Sequence, residues 1–303
     1  MSGLALEARR IAKRFGGVHA LRGVSFELAA GEVHALCGEN GAGKSTLIKL
    51  LAGIHPHGSY DGQILVDGQE VRLRSARDAE AVGIGVIHQE LALFPDLSVA
   101  ENLLLGRLPT RRGLIDWIAA QSESRRLLDQ VGLAIDPATL LGTLGIAQQQ
   151  LVEIARALAR NPRILVLDEP TAALARHEID TLLELVLRLK SRGVACIYIS
   201  HKLDEVFAIS DRITVLRDGT AQGTLVTRET DAGAVIERMV GRPIENLYPR
   251  RDVRRGSPML RVRGLDVAPG PRLPPRLRDI DFTVHAGEVL GVGGLMGDRK
   301  SVV

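Results

Sequence analysis

An α/β fold on a largely parallel sheet is predicted by three features of this 303-residue sequence. A short apolar run, Val33 to Cys37, leads into a glycine-rich loop and then into an apolar-periodic segment, Thr46 to Ala52. Ile164–Leu167 and Val194–Ile199 are continuous apolar runs, the pattern of strands covered on both faces. Between them Ile179, Leu182, Leu183, Val186 and Leu189 recur at helical spacing across Arg176–Lys190, which gives a crossover helix. Residues from about 90 to 160 are richer in helical pattern and read as a helical subdomain inserted into the α/β body. Asp218-Gly219 is a turn signal after the strand Arg212–Leu216.

The first loop carries the most chemistry. It reads Gly38-Glu39-Asn40-Gly41-Ala42-Gly43-Lys44-Ser45-Thr46. Glycines let successive backbone N–H groups turn inward, and the helix that follows adds positive potential at its N-terminus. Lys44 can then reach the β- and γ-phosphates of a nucleoside triphosphate, and the Ser45 hydroxyl can ligate Mg²⁺. A glycine-rich turn before an ordinary helix is the competing reading, and the Lys-Ser pair at this spacing counts against it.

Bulk composition sets limits. Hydrophobic content of 45% with 25% charged residues describes a globular chain with ample core. A formal charge of +3 is mild and is weak ground for nucleic-acid binding, while 3% aromatics argues against base-stacking surfaces. Cys37 and Cys196 both lie in apolar strand-like runs, read as small buried hydrophobes, and have no metal-ligand company. No apolar run approaches the length of a membrane span.

The chain repeats itself. Leu21–Gly41 aligns without gaps to Leu277–Gly297, with 9 of 21 positions identical, among them Gly31/Gly287, Glu32/Glu288, Gly38/Gly294 and Gly41/Gly297. Such a match marks a second copy of one domain. The expected organisation is a first domain over 1–244, a linker over 245–257 and the start of a second, incomplete domain over 258–297. Residues 298–303, Asp298 to Val303, are expected to be a non-native tail, since their codons can read GATCGGAAGAGCGTCGTG, which resembles a sequencing adapter. The gene would then continue.

Further candidates follow in order along the chain. Asp168-Glu169 ends a strand, where acids in such sheets sit beside a phosphate loop. Asp168 can hold Mg²⁺ and Glu169 can polarise an attacking water as general base. A pair of solvated acids is the alternative. His201 ends the next apolar strand and could contact the γ-phosphate, or could be structural. Gln89, after Val86-Ile87-His88, could bridge Mg²⁺, the water and the helical subdomain. Phe15 could stack on an adenine ring or pack in a core.

Together these residues resemble the ATP-binding subunits of ABC transporters, with Gly38–Thr46 as Walker A, Gln89 as the Q-loop glutamine, Ile164–Glu169 as Walker B and His201 as the switch histidine. Four segments are similar to the tandem-domain ATPases of bacterial monosaccharide importers, the xylose and multiple-sugar branch: Gly58–Gly62, His88–Leu93, Gly113–Trp117 and Gln149–Ala155. The resemblance implies a P-loop NTPase of ABC type, with a mainly parallel core sheet, an antiparallel N-terminal β region and an inserted helical subdomain. It further implies MgATP hydrolysis coupled to import, ATPase domains pairing head-to-tail, a membrane permease and a periplasmic sugar-binding protein as partners, no direct nucleic-acid contact, and a peripheral place on the cytoplasmic face of the inner membrane.

One departure bears on mechanism. The family's LSGGQ signature, which caps the ATP held by the opposing domain, reads Leu144-Gly145-Ile146-Ala147-Gln148. Gly145 replaces a serine, and a lost hydrogen bond to a charged phosphate is worth roughly 1.5–3 kcal/mol. Backbone amides at the following helix could still act. Ala175 stands where the wider family often has aspartate. In this family the first copy's phosphate loop would be completed by the second copy's signature, which these residues do not include, so residues 1–303 are expected to bind MgATP and to turn it over poorly. A soluble tandem ABC protein acting on ribosomes or nucleic acid is the alternative, and the short junction counts against it. A module that binds ATP without hydrolysing it is disfavoured by Glu169 and His201, and an exporter by the absence of fused membrane helices.

Overall fold

The computed structural model describes residues 3–88, 91–172, 174–242, 256–267 and 278–292. The chain divides into two units, residues 1–244 and 245–303. The expected linker over 245–257 falls almost wholly outside the described residues, as does the tail over 298–303.

The first unit begins with an antiparallel sheet. Strands β1 (Leu4–Phe15) and β2 (Val18–Ala29) pair along their lengths, and β1 also pairs β4 (Asp61–Val66), which pairs β5 (Gln69–Val71). Val24, Phe26 and Leu28 alternate onto one buried face of β2 while their neighbours face outward.

The second sheet holds β3 (Val33–Cys37), β6 (Ile84–Ile87), β9 (Ile164–Asp168), β10 (Ala195–Ile199), β11 (Arg212–Arg217) and β12 (Thr220–Val226), in the order β12-β11-β3-β10-β9-β6. Every pairing is parallel except the hairpin β11–β12. Successive residues of β9 face opposite ways. Ile164 and Val166 join a core shared with the antiparallel sheet and with α1 (Lys44–Leu51), whereas Leu165 and Leu167 join a core beneath the helical region. Both faces are therefore covered, which is why these strands read as unbroken apolar runs.

The helical region contains α3 (Val99–Leu103), α4 (Trp117–Val131) and α5 (Ile146–Leu158), after the short α2 (Ala76–Ala81). Helix α3 starts in a capping box, with Ser98 accepting from the Glu101 N–H and Glu101 accepting from the Ser98 N–H. Helix α4 starts on Asp116 and ends at Gly132, whose φ of 75° is the left-handed stop glycine tolerates. One part of this region is not helical: β7 (Thr110–Arg111) and β8 (Leu114–Ile115) form a small hairpin. Its two-residue turn, Arg112-Gly113, has φ of 54° and 81°, the primed geometry that suits strand twist.

Helix α6 (Arg176–Ser191) is the expected crossover, joining β9 to β10, and α7 (Leu203–Ile209) and α8 (Ala232–Val240) complete the unit. Cys37 and Cys196 are buried in strands, and burial pushes both thiols up to about 12. In the second unit the described residues form one antiparallel pair, β13 (Pro258–Leu265) with β14 (Ile280–His285).

Candidate active site

Parallel pairing decides where the site lies. Ile199 pairs with both Leu36 and Asp168, so β3, β9 and β10 end together. The loops after them, 38–43, 169–171 and 200–202, meet at one edge of the sheet, where ligands bind in open α/β folds.

The first loop needs glycine in two places. At Gly38 (φ 158°) a Cβ would collide with the Leu216 carbonyl oxygen. At Gly43 (φ 105°) it would come within 2.7 Å of the Ala20 oxygen. Lys44 opens α1 and is buried; its ammonium donates to the Gly38 oxygen at 2.7 Å and the Glu39 oxygen at 3.0 Å. The lysine is thus folded back over its own loop, with its charge held at the loop's mouth.

Asp168 closes β9, half-buried. Burial, then the charge of Glu169, pushes its carboxyl above the ordinary range, while His88, Lys44 and Lys49 pull the other way. Glu169 has a left-handed backbone (φ 47°) fixed by its N–H donating to the Ile199 oxygen at 3.0 Å. Its Oε1 lies 3.4 Å from Nδ1 of the exposed His201.

An open cleft of about 910 Å³ is lined by Gly38, Glu39, Asn40, Gly41, Gly43, Lys44, Ser45, Thr46, Asp168, Glu169 and His201. These are the residues the sequence singled out, gathered from three loops. Ala42 is buried beneath the loop instead of lining it. Ala20 and Met239 also line the cleft, and no motif points to either.

Two expected site features lie elsewhere, and Gln89 falls outside the described residues. The flanking chain is tethered: Ala92 N–H donates to Glu153 Oε1 at 3.3 Å, Arg156 donates to the Ala92 oxygen at 2.7 Å, and the buried Asn102 holds Phe94 through its N–H and its oxygen. Phe15 is 46% exposed, its ring 5.2 Å from that of His55 with the Lys13 ammonium 5.1 Å away. Core packing is thereby ruled out for it, and it does not line the cleft. Leu144 precedes the Gly145 N-cap of α5, which Ile146, Ala147 and Gln148 open, and none of the five lines the cleft. Leu144 packs on the core, Gly145 is the N-cap, and Gln148 accepts from the Gly145 N–H at 3.3 Å.

Residues 21–172 match the family model described as ABC transporter. The chain is 50% identical, over 98% of its length, to the xylose import ATP-binding protein of Moorella thermoacetica, and 48% identical, over 97%, to a ribose import ATP-binding protein of Rhizobium meliloti. It spans 59% and 56% of the lengths of those two relatives. Among solved structures, the ADP conformation of an ATP-binding cassette of an ABC transporter superposes with a TM-score of 0.67 at 27% identity, covering 78% of this chain and 99% of that one.

Proposed function

Since the chain belongs to the ABC transporter family, we propose that it is the ATP-binding and hydrolysing part of a monosaccharide importer. The carrying observation is the single cleft that unites Lys44, Ser45, Asp168, Glu169 and His201. In this reading Lys44 exchanges its loop carbonyls for β- and γ-phosphate oxygens, and the loop N–H groups cradle the rest. Glu169 accepts the proton of the attacking water, and His201 steadies the γ-phosphate. The exposed Phe15 ring offers the adenine a surface.

Ser45 and Asp168 fit Mg²⁺. Both supply hard oxygen ligands to the same cleft, and a cation would offset the burial that disfavours an ionised Asp168. The ion's contribution is to neutralise phosphate charge. Gln89 is proposed to link this site to the helical region.

The xylose and ribose import names of the relatives favour sugar import over a ribosome- or nucleic-acid-acting protein. Partners would be a membrane permease and, through it, a periplasmic sugar-binding protein, with this chain peripheral on the inner membrane. Among the described residues no helix is long and apolar enough to cross a membrane. The position of Leu144–Gln148 away from the cleft agrees with a signature that serves the partner domain in a head-to-tail pair.

Calorimetry with MgATP tests the core of this reading. Lys44→Ala is expected to weaken binding about 100-fold, as loss of charge-assisted hydrogen bonds implies. Glu169→Gln is expected to keep the affinity and remove turnover. An affinity indifferent to Lys44→Ala overturns the proposal.

A further inference from the structure

Behind the cleft lies a buried polar cluster that no motif explains. Glu205, on α7, is 5% exposed. Its Oε2 accepts from Thr171 Oγ1 at 2.7 Å, Tyr198 Oη at 2.8 Å and Ser200 Oγ at 3.2 Å. All three donors are at most 2% exposed. Lys202 Nζ stands 3.2 Å from Oε1 and donates to the Thr171 oxygen at 3.0 Å.

The chemistry suits a fixed carboxylate. A carboxylate offers about four lone-pair sites, two on each oxygen; here three hydroxyls share Oε2 and the Lys202 ammonium stands beside Oε1. Burial, reinforced by the adjacent Glu205, pushes the Tyr198 phenol upward, so that it stays a donor. A buried charge is tolerable only when paired and hydrogen-bonded, and this one is both.

The donors' places in the chain matter more than their number. Thr171 follows Glu169 by two residues, and Ser200 and Lys202 flank His201. We propose that Glu205 is a positioning residue: one buried carboxylate ties down the loop carrying Glu169 and the loop carrying His201, and thereby sets the separation of those two groups. This rests on the nucleotide-site reading above. Glu205 follows His201 by four residues and Glu169 by 36, and it touches no reacting atom, so it acts only through those loops.

Glu205→Gln keeps the shape and introduces an NH₂ that must oppose either the hydroxyl donors or the Lys202 ammonium. Thr171→Val removes one donor at nearly constant volume. The test is calorimetry on the whole chain with Mg²⁺, comparing ADP with the non-hydrolysable β,γ-imido analogue of ATP. The preference for the analogue reads the γ-phosphate contacts alone.

Glu205→Gln is expected to cut that preference about tenfold while ADP affinity changes less than about twofold, and Thr171→Val about threefold. In a His201→Ala background, Glu205→Gln is expected to add nothing to this readout, because the γ-phosphate contact through which it is felt is gone, while Glu169 faces the attacking water. A preference unmoved by both variants overturns the proposal. So does equal loss of both nucleotides, or an effect fully additive with His201→Ala, since either marks a generic structural role. If the wild-type chain binds neither nucleotide, the nucleotide-site reading fails and takes this one with it.

Discussion

Val33 and Val289 occupy equivalent positions in the repeated segment and reach opposite environments: Val33 is fully buried in β3, whereas Val289 is 97% exposed. The next pairs agree, with Leu36 at 1% against Val292 at 58%. Yet the turn just before them is built alike in both copies. Glu32 accepts from the Ala29 N–H at 2.7 Å, and Glu288, its counterpart, accepts from the His285 N–H at 3.0 Å. Gly31 and Gly287 have φ of 67° and 76°. A turn closed over three residues forms wherever its sequence occurs. A central strand forms only where neighbours arrive, and those of β3 are β10 and β11 from far along the chain. Among the described residues no strand pairs with 289–292.

This contrast can be broken by paired substitutions. Phe26, buried beside His34, and its equivalent Phe282, half-buried in β14, give the largest expected difference. Phe26→Ala should cost about 3–5 kcal/mol, as a cavity in a tight core does, and Phe282→Ala about 1 kcal/mol or less. Equal losses by differential scanning calorimetry would mean that the second unit has a core of its own.

Burial in the first unit also sets a pH dependence. Glu153 on α5 lines a small cavity of about 230 Å³, and burial pushes its carboxyl up to about 7. Its folded value exceeds its unfolded one, so the folded state binds the extra proton between about pH 4.5 and 7, and stability falls as pH rises through that window. Glu153→Gln should flatten this slope and stabilise the chain at pH 8 by up to about 3 kcal/mol. Urea melts across the window, with a slope unchanged by the substitution, would refute it.

Smaller effects sharpen the comparison. Val33→Ala should cost about 2 kcal/mol and Val289→Ala less than about 0.5. Glu32 is the most specific case. Burial pushes its carboxyl up, but bonds from Arg212, at 2.5 and 2.9 Å, and from Ala29 more than offset this, leaving it below the ordinary range. Its contribution is therefore present above about pH 4.5 and lost as pH falls through the lower folded value. Glu32→Gln should cost about 1–2 kcal/mol at pH 7 and progressively less as pH falls below about 4.5, which acid titration of the melting temperature would check.

The same division between local and distant causes explains what could be read from the sequence. The loop at Gly38–Thr46, the acids at 168–169 and the crossover helix are written in short spacings, and the structure gathers them where parallel strands end. The hairpin at 110–115 was missed because a two-residue turn at Arg112-Gly113 sits within a helical surround. Glu205, Asn102 and Met239 gave no signal, because their roles depend on partners that only the fold brings near. Phe15 illustrates the reverse: its aromatic character was legible, but its exposure beside His55 was not.

The left-handed backbone at Glu169 has a consequence of its own. In a pleated strand, consecutive side chains must part to opposite sides, so two adjacent acids cannot both serve one ligand. Here the pleat is interrupted after Asp168, and both carboxylates open onto the same cavity. Holding a non-glycine residue this way costs about 1–2 kcal/mol. Glu169→Gly would relieve that cost, so a selection for heat resistance alone would favour a chain stripped of the carboxylate proposed here to accept the proton.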